Sequence, residues 1–150
     1  MLTPPTKSKC RYGIQQDKSN IEPLLKGTRT LISRHYKNAA GALIVFDVTN
    51  RYSFDAVRGW IYEVRERADE HVVIGIIGNK CDLSNRNVRK EEAEDLANQE
   101  HAFYMETTIH DIQSLRNAFE RMAQCTSLVI EKSIEAPDQK VLSSVVVMFL

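Results

Sequence analysis

Val72-Val73-Ile74-Gly75-Ile76-Ile77-Gly78-Asn79-Lys80-Cys81-Asp82 decides the fold: a nearly unbroken apolar run stops abruptly at a polar turn. A half-exposed strand alternates apolar and polar residues, so a continuous run belongs to a strand covered on both faces, as in a parallel sheet. The same signature stands about thirty residues earlier, where Ala39-Ala40-Gly41-Ala42-Leu43-Ile44-Val45-Phe46 leads into Asp47-Val48-Thr49. A weaker copy follows about thirty residues later, Ala102-Phe103-Tyr104-Met105 leading into Glu106-Thr107-Thr108-Ile109-His110. That spacing suits strand, crossover helix, parallel strand.

The segments between the runs read as the crossovers. Phe54, Val57, Ile61 and Val64 share one helical stripe over residues 54–67, with Ser53 placed as N-cap. Ala93, Leu96 and Ala97 group on a shorter, charged helix over 91–99, and the charge run from Arg86 to Glu94 reads as that helix and its solvated approach. A last helix, about 112–131, is expected to turn Leu115, Phe119, Met122 and Ala123 inward. Right-handed crossovers lay such helices on both faces of the sheet. The expected class is therefore α/β, a doubly wound parallel sheet, here incomplete.

Working outward, residues 28–36 read as a short helix in which Leu31, Ile32, His35 and Tyr36 share a face. Residues 1–27, with Pro4, Pro5, Gly13, Pro23 and Gly27, sustain neither period and read as irregular. The chain thus divides into an irregular segment 1–27, a partial domain 28–132 and a tail 133–150. The tail ends in an apolar run from Val141 to Leu150 that reads as a fourth strand, an exposed edge unless it finds a partner.

Composition narrows the function classes. The 150 residues carry 20 Lys and Arg against 20 Asp and Glu, which argues against a nucleic-acid-coating surface. Three scattered cysteines, Cys10, Cys81 and Cys125, and four histidines show no zinc spacing and no nucleophile-elbow context, and fit a reducing, cytoplasmic setting. No secretory signal and no transmembrane segment is expected. Trp60 and Phe54 read as core, and Asp47 as a capping or turn residue.

In an open α/β sheet ligands bind beyond the carboxyl ends of the strands, so the residues just after each apolar run carry the chemistry. Asn79-Lys80-Cys81-Asp82 is the informative turn. A fixed Asp82 carboxylate can accept from both the ring N–H and the exocyclic amine of guanine, a donor pair that adenine lacks. Leaving a polar site unpaired by the wrong base is worth a few kcal/mol of discrimination. The stem of Lys80 can cover one face of the base, and the Asn79 amide can bridge base and backbone.

From these residues the chain resembles the Rab branch of the Ras-like small GTPases, over about 28–130. His35 through Thr49 is similar to the family's Y-Y-R-G-A-x-G-A-L-L-V-Y-D-I-T, and Ser53-Phe54 through Trp60 to its S-F-x-x-x-x-x-W helix. Gly78 through Leu83 matches the guanine-specificity motif, Glu106 through His110 aligns with E-T-S-A-K, and Leu115 through Phe119 with V-E-N-A-F. The resemblance implies guanine-binding residues Asn79, Lys80, Asp82, Thr108 and Ile109, the last through its backbone N–H. It also implies GTP or GDP as ligand, Rab-type effector or regulatory partners, and a role in vesicle trafficking peripheral to endomembranes.

Other family elements are not found in the sequence. Gly13-Ile14-Gln15-Gln16-Asp17-Lys18-Ser19 is the nearest echo of a phosphate loop, but Asp17 stands where the second glycine belongs, with a charge that opposes phosphate and a Cβ that blocks its approach. Glu22 through Gly27 replaces the D-x-x-G-Q stretch, no magnesium site can be placed, and no catalytic residue is assigned. The expectation is a truncated Rab-like domain that binds GTP or GDP weakly, with its own hydrolysis in doubt. The alternatives are a nucleotide-independent interaction module or a non-functional truncated product. In the family's sheet order the missing first strand lies beside residues 41–47, leaving an open edge unless residues 1–27 or 141–150 cover it. The ending Val147-Met148-Phe149-Leu150 has no prenylation motif.

Overall fold

The computed structural model describes Tyr36, residues 38–135 and residues 144–150. The expectations for residues 1–27 and for the helix 28–36, apart from Tyr36, lie outside the described residues. Within them the order is β1 (Ala39–Asp47), α1 (Arg51–Arg67), β2 (Val73–Asn79), α2 (Lys90–Gln99), β3 (Phe103–Thr107), α3 (Ile112–Glu135) and β4 (Ser144–Phe149). All strand pairings are parallel, in the spatial order β3-β2-β1-β4.

The path across the sheet explains where the helices sit. From β1 to β2 to β3 the chain steps one way, so right-handed crossovers put α1 and α2 on one face; α3 leads back past β2 and β1 to β4 and falls on the other. Even-numbered β1 residues Ala42, Ile44 and Phe46 accordingly pack with Phe54, Val57, Ile61 and Val64 of α1 and with Ala93, Leu96 and Ala97 of α2. Odd-numbered Leu43 and Val45 pack with Ile77 and with Ala118 and Met122 of α3. Every residue of β1 from Ala39 to Phe46 is buried, as a doubly covered central strand must be. The α/β sheet with helices on both faces stands as expected.

Two local readings are corrected. Asn50, not Ser53, caps α1: its side-chain carbonyl accepts from the backbone N–H of Tyr52 and Ser53, so the helix starts three residues earlier than expected. Ser53 is buried inside the first turn, accepting from the Asp47 N–H at 3.1 Å and donating to the Asn50 carbonyl at 2.7 Å. In α3 the inward line is Ala118, Met122 and Thr126, whereas Phe119 is 53% exposed and Ala123 is also exposed. Gly41 is the reason. A Cβ there would collide with Met122 Sδ and Thr126 Cγ2, so the helix approaches β1 closely on small and flexible side chains, and Phe119, a step around the helix, is left on its shoulder.

The expected fourth strand forms, and it forms on β1. Ala39 pairs with Ser144 and Gly41 to Val45 pair with Val145 to Phe149, after a register irregularity between Ala39 and Gly41. The Leu150 N–H extends the ladder to the Val45 carbonyl at 2.8 Å. The expected open edge is thus covered by the tail as far as Val45.

Candidate functional site

The sheet places the functional turns at a switch point. The loop after β2 leaves toward α2 on one face and the loop after β3 leaves toward α3 on the other, so a crevice opens between the carboxyl ends of β2 and β3. In-register pairing of Asn79 with Thr107 sets those two ends level. Asn79, Lys80 and Asp82 come from one side of the crevice, Thr108 and Ile109 from the other.

Asn79 and Asp82 are held from across the crevice. Thr107 Oγ1 donates to Asn79 Oδ1 at 3.2 Å, and the Cys81 N–H donates to the Thr107 carbonyl at 3.3 Å. The Asp82 side chain is 31% exposed, and a hydrogen bond from Thr108 is the main reason its carboxyl stays below the ordinary carboxylate range. His110 Nε2 stands 3.8 Å from Asp82 Oδ2 and adds to that lowering. Thr108 is fixed in turn, its N–H donating to Ser114 Oγ at 3.2 Å and its hydroxyl accepting from the His110 N–H at 3.3 Å. Ile109 is 77% exposed, so its side chain serves no packing role and its turn is open to solvent.

Lys80 is held from β1: its ammonium, on a side chain 53% exposed, pairs with Asp47 Oδ2 at 2.6 Å, and its φ of 61° is a left-handed conformation that non-glycine residues rarely adopt. Such backbone costs about 1–3 kcal/mol and persists where surrounding contacts enforce it. Asp47 also accepts from the Thr49 N–H at 2.8 Å and the Thr49 hydroxyl at 2.7 Å, the turn role expected of it. Burial pushes the Asp47 carboxyl up, but Lys80 and Thr49 together outweigh it and hold the group below its ordinary value. Asp47 is therefore a site residue the sequence reading did not include. The signal available was its place at the carboxyl end of β1, beside the Lys-bearing turn.

Beneath the crevice lies a support that sequence reasoning missed. Arg86 makes two hydrogen bonds to the Glu106 carboxylate, at 2.8 and 3.0 Å, and the Tyr104 hydroxyl donates to it at 2.9 Å. Burial opposes ionisation of Glu106, yet Arg86 and Tyr104 keep its carboxyl low, while burial and that same carboxylate push the Tyr104 phenol far up. Gly78 lets this ring stand close, since a Cβ there would meet the Tyr104 hydroxyl. The stretch 86–88 is fastened and not merely solvated. The N–H groups of Asn87 and Val88 donate to the Val48 carbonyl at 2.9 and 3.0 Å, and Val88 is buried.

The crevice thus brings together a carboxylate, Asp82, whose pKa is lowered by Thr108 and His110, an exposed turn at Ile109, and a lysine whose ammonium is drawn to Asp47. Among the described residues, no cluster of three or more His, Cys, Asp or Glu is arranged to hold a metal ion. No described helix is long and apolar enough to cross a membrane. Half-buried Cys125 lies within α3.

Comparison with known proteins decides the family. A model of the Ras family matches residues 27–127. The chain belongs to the Ras family. Rab11A of Lotus japonicus is 37% identical to this Ras-family chain over 114 residues, which cover 75% of the chain and 50% of that protein. RABA4d of Arabidopsis thaliana is 38% identical over 112 residues, covering 73% and 50%. The GTP-binding protein ypt3 of Schizosaccharomyces pombe is 39% identical over 115 residues, covering 75% and 54%. The chain spans about half the length of these relatives, and within the Ras family its likeness is to the Rab and Ypt proteins.

Proposed function

We propose that the crevice between β2 and β3 recognises the guanine base of GTP or GDP, and that the chain acts within Rab-type vesicle trafficking. Asp82 accepts the two guanine donors, the Lys80 stem lies along the base, and Asn79 steadies the turn through Thr107. Thr108 orients Asp82, and the Ile109 N–H serves the guanine carbonyl. One observation carries this reading: the in-register ends of β2 and β3 bring a partly exposed, Thr108-anchored Asp82 carboxylate opposite the Thr108-Ile109 turn. The relative named a GTP-binding protein supports it. No residue is assigned a hydrolytic role, and partners are of the Rab effector or regulator kind.

Base contacts alone support a dissociation constant on the order of millimolar, about 4 kcal/mol. Isothermal titration of the chain with GDP and with ADP checks the proposal: GDP binds in that range, ADP does not, and Asp82→Ala abolishes the difference. Equal binding of the two nucleotides sinks the base assignment, and nanomolar GDP binding shows that a phosphate site also operates.

A further inference from the structure

β4 is held unlike any other strand. It is an edge strand, and β1 is the only described element against which it packs extensively. Of its side chains only Met148 is buried, receiving the Tyr36 hydroxyl on its sulfur at 3.0 Å. Val145 and Phe149, on the face that α3 covers over β1, are 40% and 77% exposed. β1 is the opposite case, buried from Ala39 to Phe46 on both faces. Removing β4 would strip hydrogen-bond partners from the most buried backbone in the molecule, so that edge is always in demand of a strand. The strand that meets the demand is anchored by the ladder to β1, by Met148 and by the half-buried Val146, Val147 and Leu150; its side-chain hydrogen bonds to described residues are that from Tyr36 and one from Ser144 to the Asn38 carbonyl.

We propose that the β1 edge is a strand-acceptor site whose second occupant is the 144–150 segment of another copy of this chain, exchanged reciprocally to form a two-fold dimer. The fit of that occupant is already on display, because the intramolecular strand shows which residues match: Met148 opposite Ile44, Val147 opposite Leu43, and the Leu150 N–H on Val45. A second copy supplies the same side chains in the same parallel register, so exchange makes the same contacts without new chemistry. Eight residues, 136–143, join α3 to β4. A tether that short gives the chain's own strand a high effective concentration, so the closed monomer prevails in dilute solution and exchange is reached as concentration rises.

Three measurements on full-length chains test it. A fluorescent peptide of sequence 144–150 binds Met148→Asp, whose own strand no longer fits, at least about tenfold more tightly than wild type, whose edge is occupied. The same peptide carrying the Asp binds neither. Failure of the peptide to bind Met148→Asp while that variant keeps its helical circular dichroism overturns the proposal, as does equal binding of both peptides. In unaltered chain, β4 amides exchange with deuterium about 100-fold faster than β2 amides, through local opening. Equal protection of the two strands would mean that β4 leaves only with global unfolding, which refutes exchange even if Met148→Asp proves too unstable to use. In sedimentation, wild type gains a dimer between micromolar and millimolar concentration that Met148→Asp lacks. A wild-type chain that stays monomeric throughout also overturns it.

Discussion

The two ends of the sheet order make a controlled comparison. β3 and β4 are both parallel edge strands of similar length, each paired to one neighbour. Around β3, backbone pairing and the half-buried Phe103, Tyr104 and Met105 are joined by a polar network: Glu106 to Arg86 and Tyr104, Thr107 to Asn79, Thr108 to Asp82. Around β4 there is backbone pairing, one buried methionine and the half-buried Val146, Val147 and Leu150 on the two core clusters. Side-chain networks fix position and orientation, which a binding crevice needs; backbone pairing with apolar contacts fixes register but leaves a strand replaceable. Equal edges in topology are therefore unequal in what they can do.

The comparison breaks first if the centre of the sheet is not the stable reference. Ile76→Ala, on a fully buried β2 residue, should cost about 2–5 kcal/mol in urea unfolding. A loss no greater than that of an edge substitution would show that the centre is not packed as described. Next in size, Glu106→Gln removes the charge that holds Arg86 and should cost about 1–3 kcal/mol, discounted from a fully buried pair because both partners are partly exposed. It also tests pH. The Glu106 carboxyl is lower in the folded chain than its ordinary 4.5, so its contribution is present above that value and lost as pH falls through the folded-state value. Acid unfolding should therefore be shallower in Glu106→Gln than in wild type, and superimposable curves would remove Glu106 from the account.

Asn50→Ala, at the start of α1, should cost about 1 kcal/mol, since two N–H groups lose their acceptor. Ser53→Ala costing as much would return the cap to Ser53. Smallest of all, Val145→Ala on β4 should stay within about 0.5 kcal/mol, because its side chain is already exposed. A loss comparable to Ile76→Ala would make β4 as integral as β2 and dissolve the contrast between the edges.

Much of this was legible in residue order. The run from Val72 to Ile77 declared a doubly covered strand, and the break at Asn79-Lys80-Cys81-Asp82 declared a polar turn at its carboxyl end. What escaped was whatever depended on partners distant in sequence. Nothing near Lys80 announces Asp47, thirty-three positions away, as the group that takes its ammonium. Nothing near Arg86 announces Glu106 twenty positions on. Phe119 was misread because helical periodicity gives a stripe but not its centre, and the centre was set by the missing side chain of Gly41 on another element.

The sequence by itself determined the parallel strands, their crossover helices and the residues that stand at the strand ends, because hydrophobic periodicity and strand-to-turn breaks are local properties of a chain. Only the tertiary structure decided how those ends meet and what closes the β1 edge. Pairing between Gly41–Val45 and Val145–Phe149 joins residues about a hundred positions apart. Its cause lies in backbone groups that every sequence shares, so no side-chain pattern in the tail could name the partner. An apolar run states that it must be buried; the unfilled edge of the most buried strand decides where.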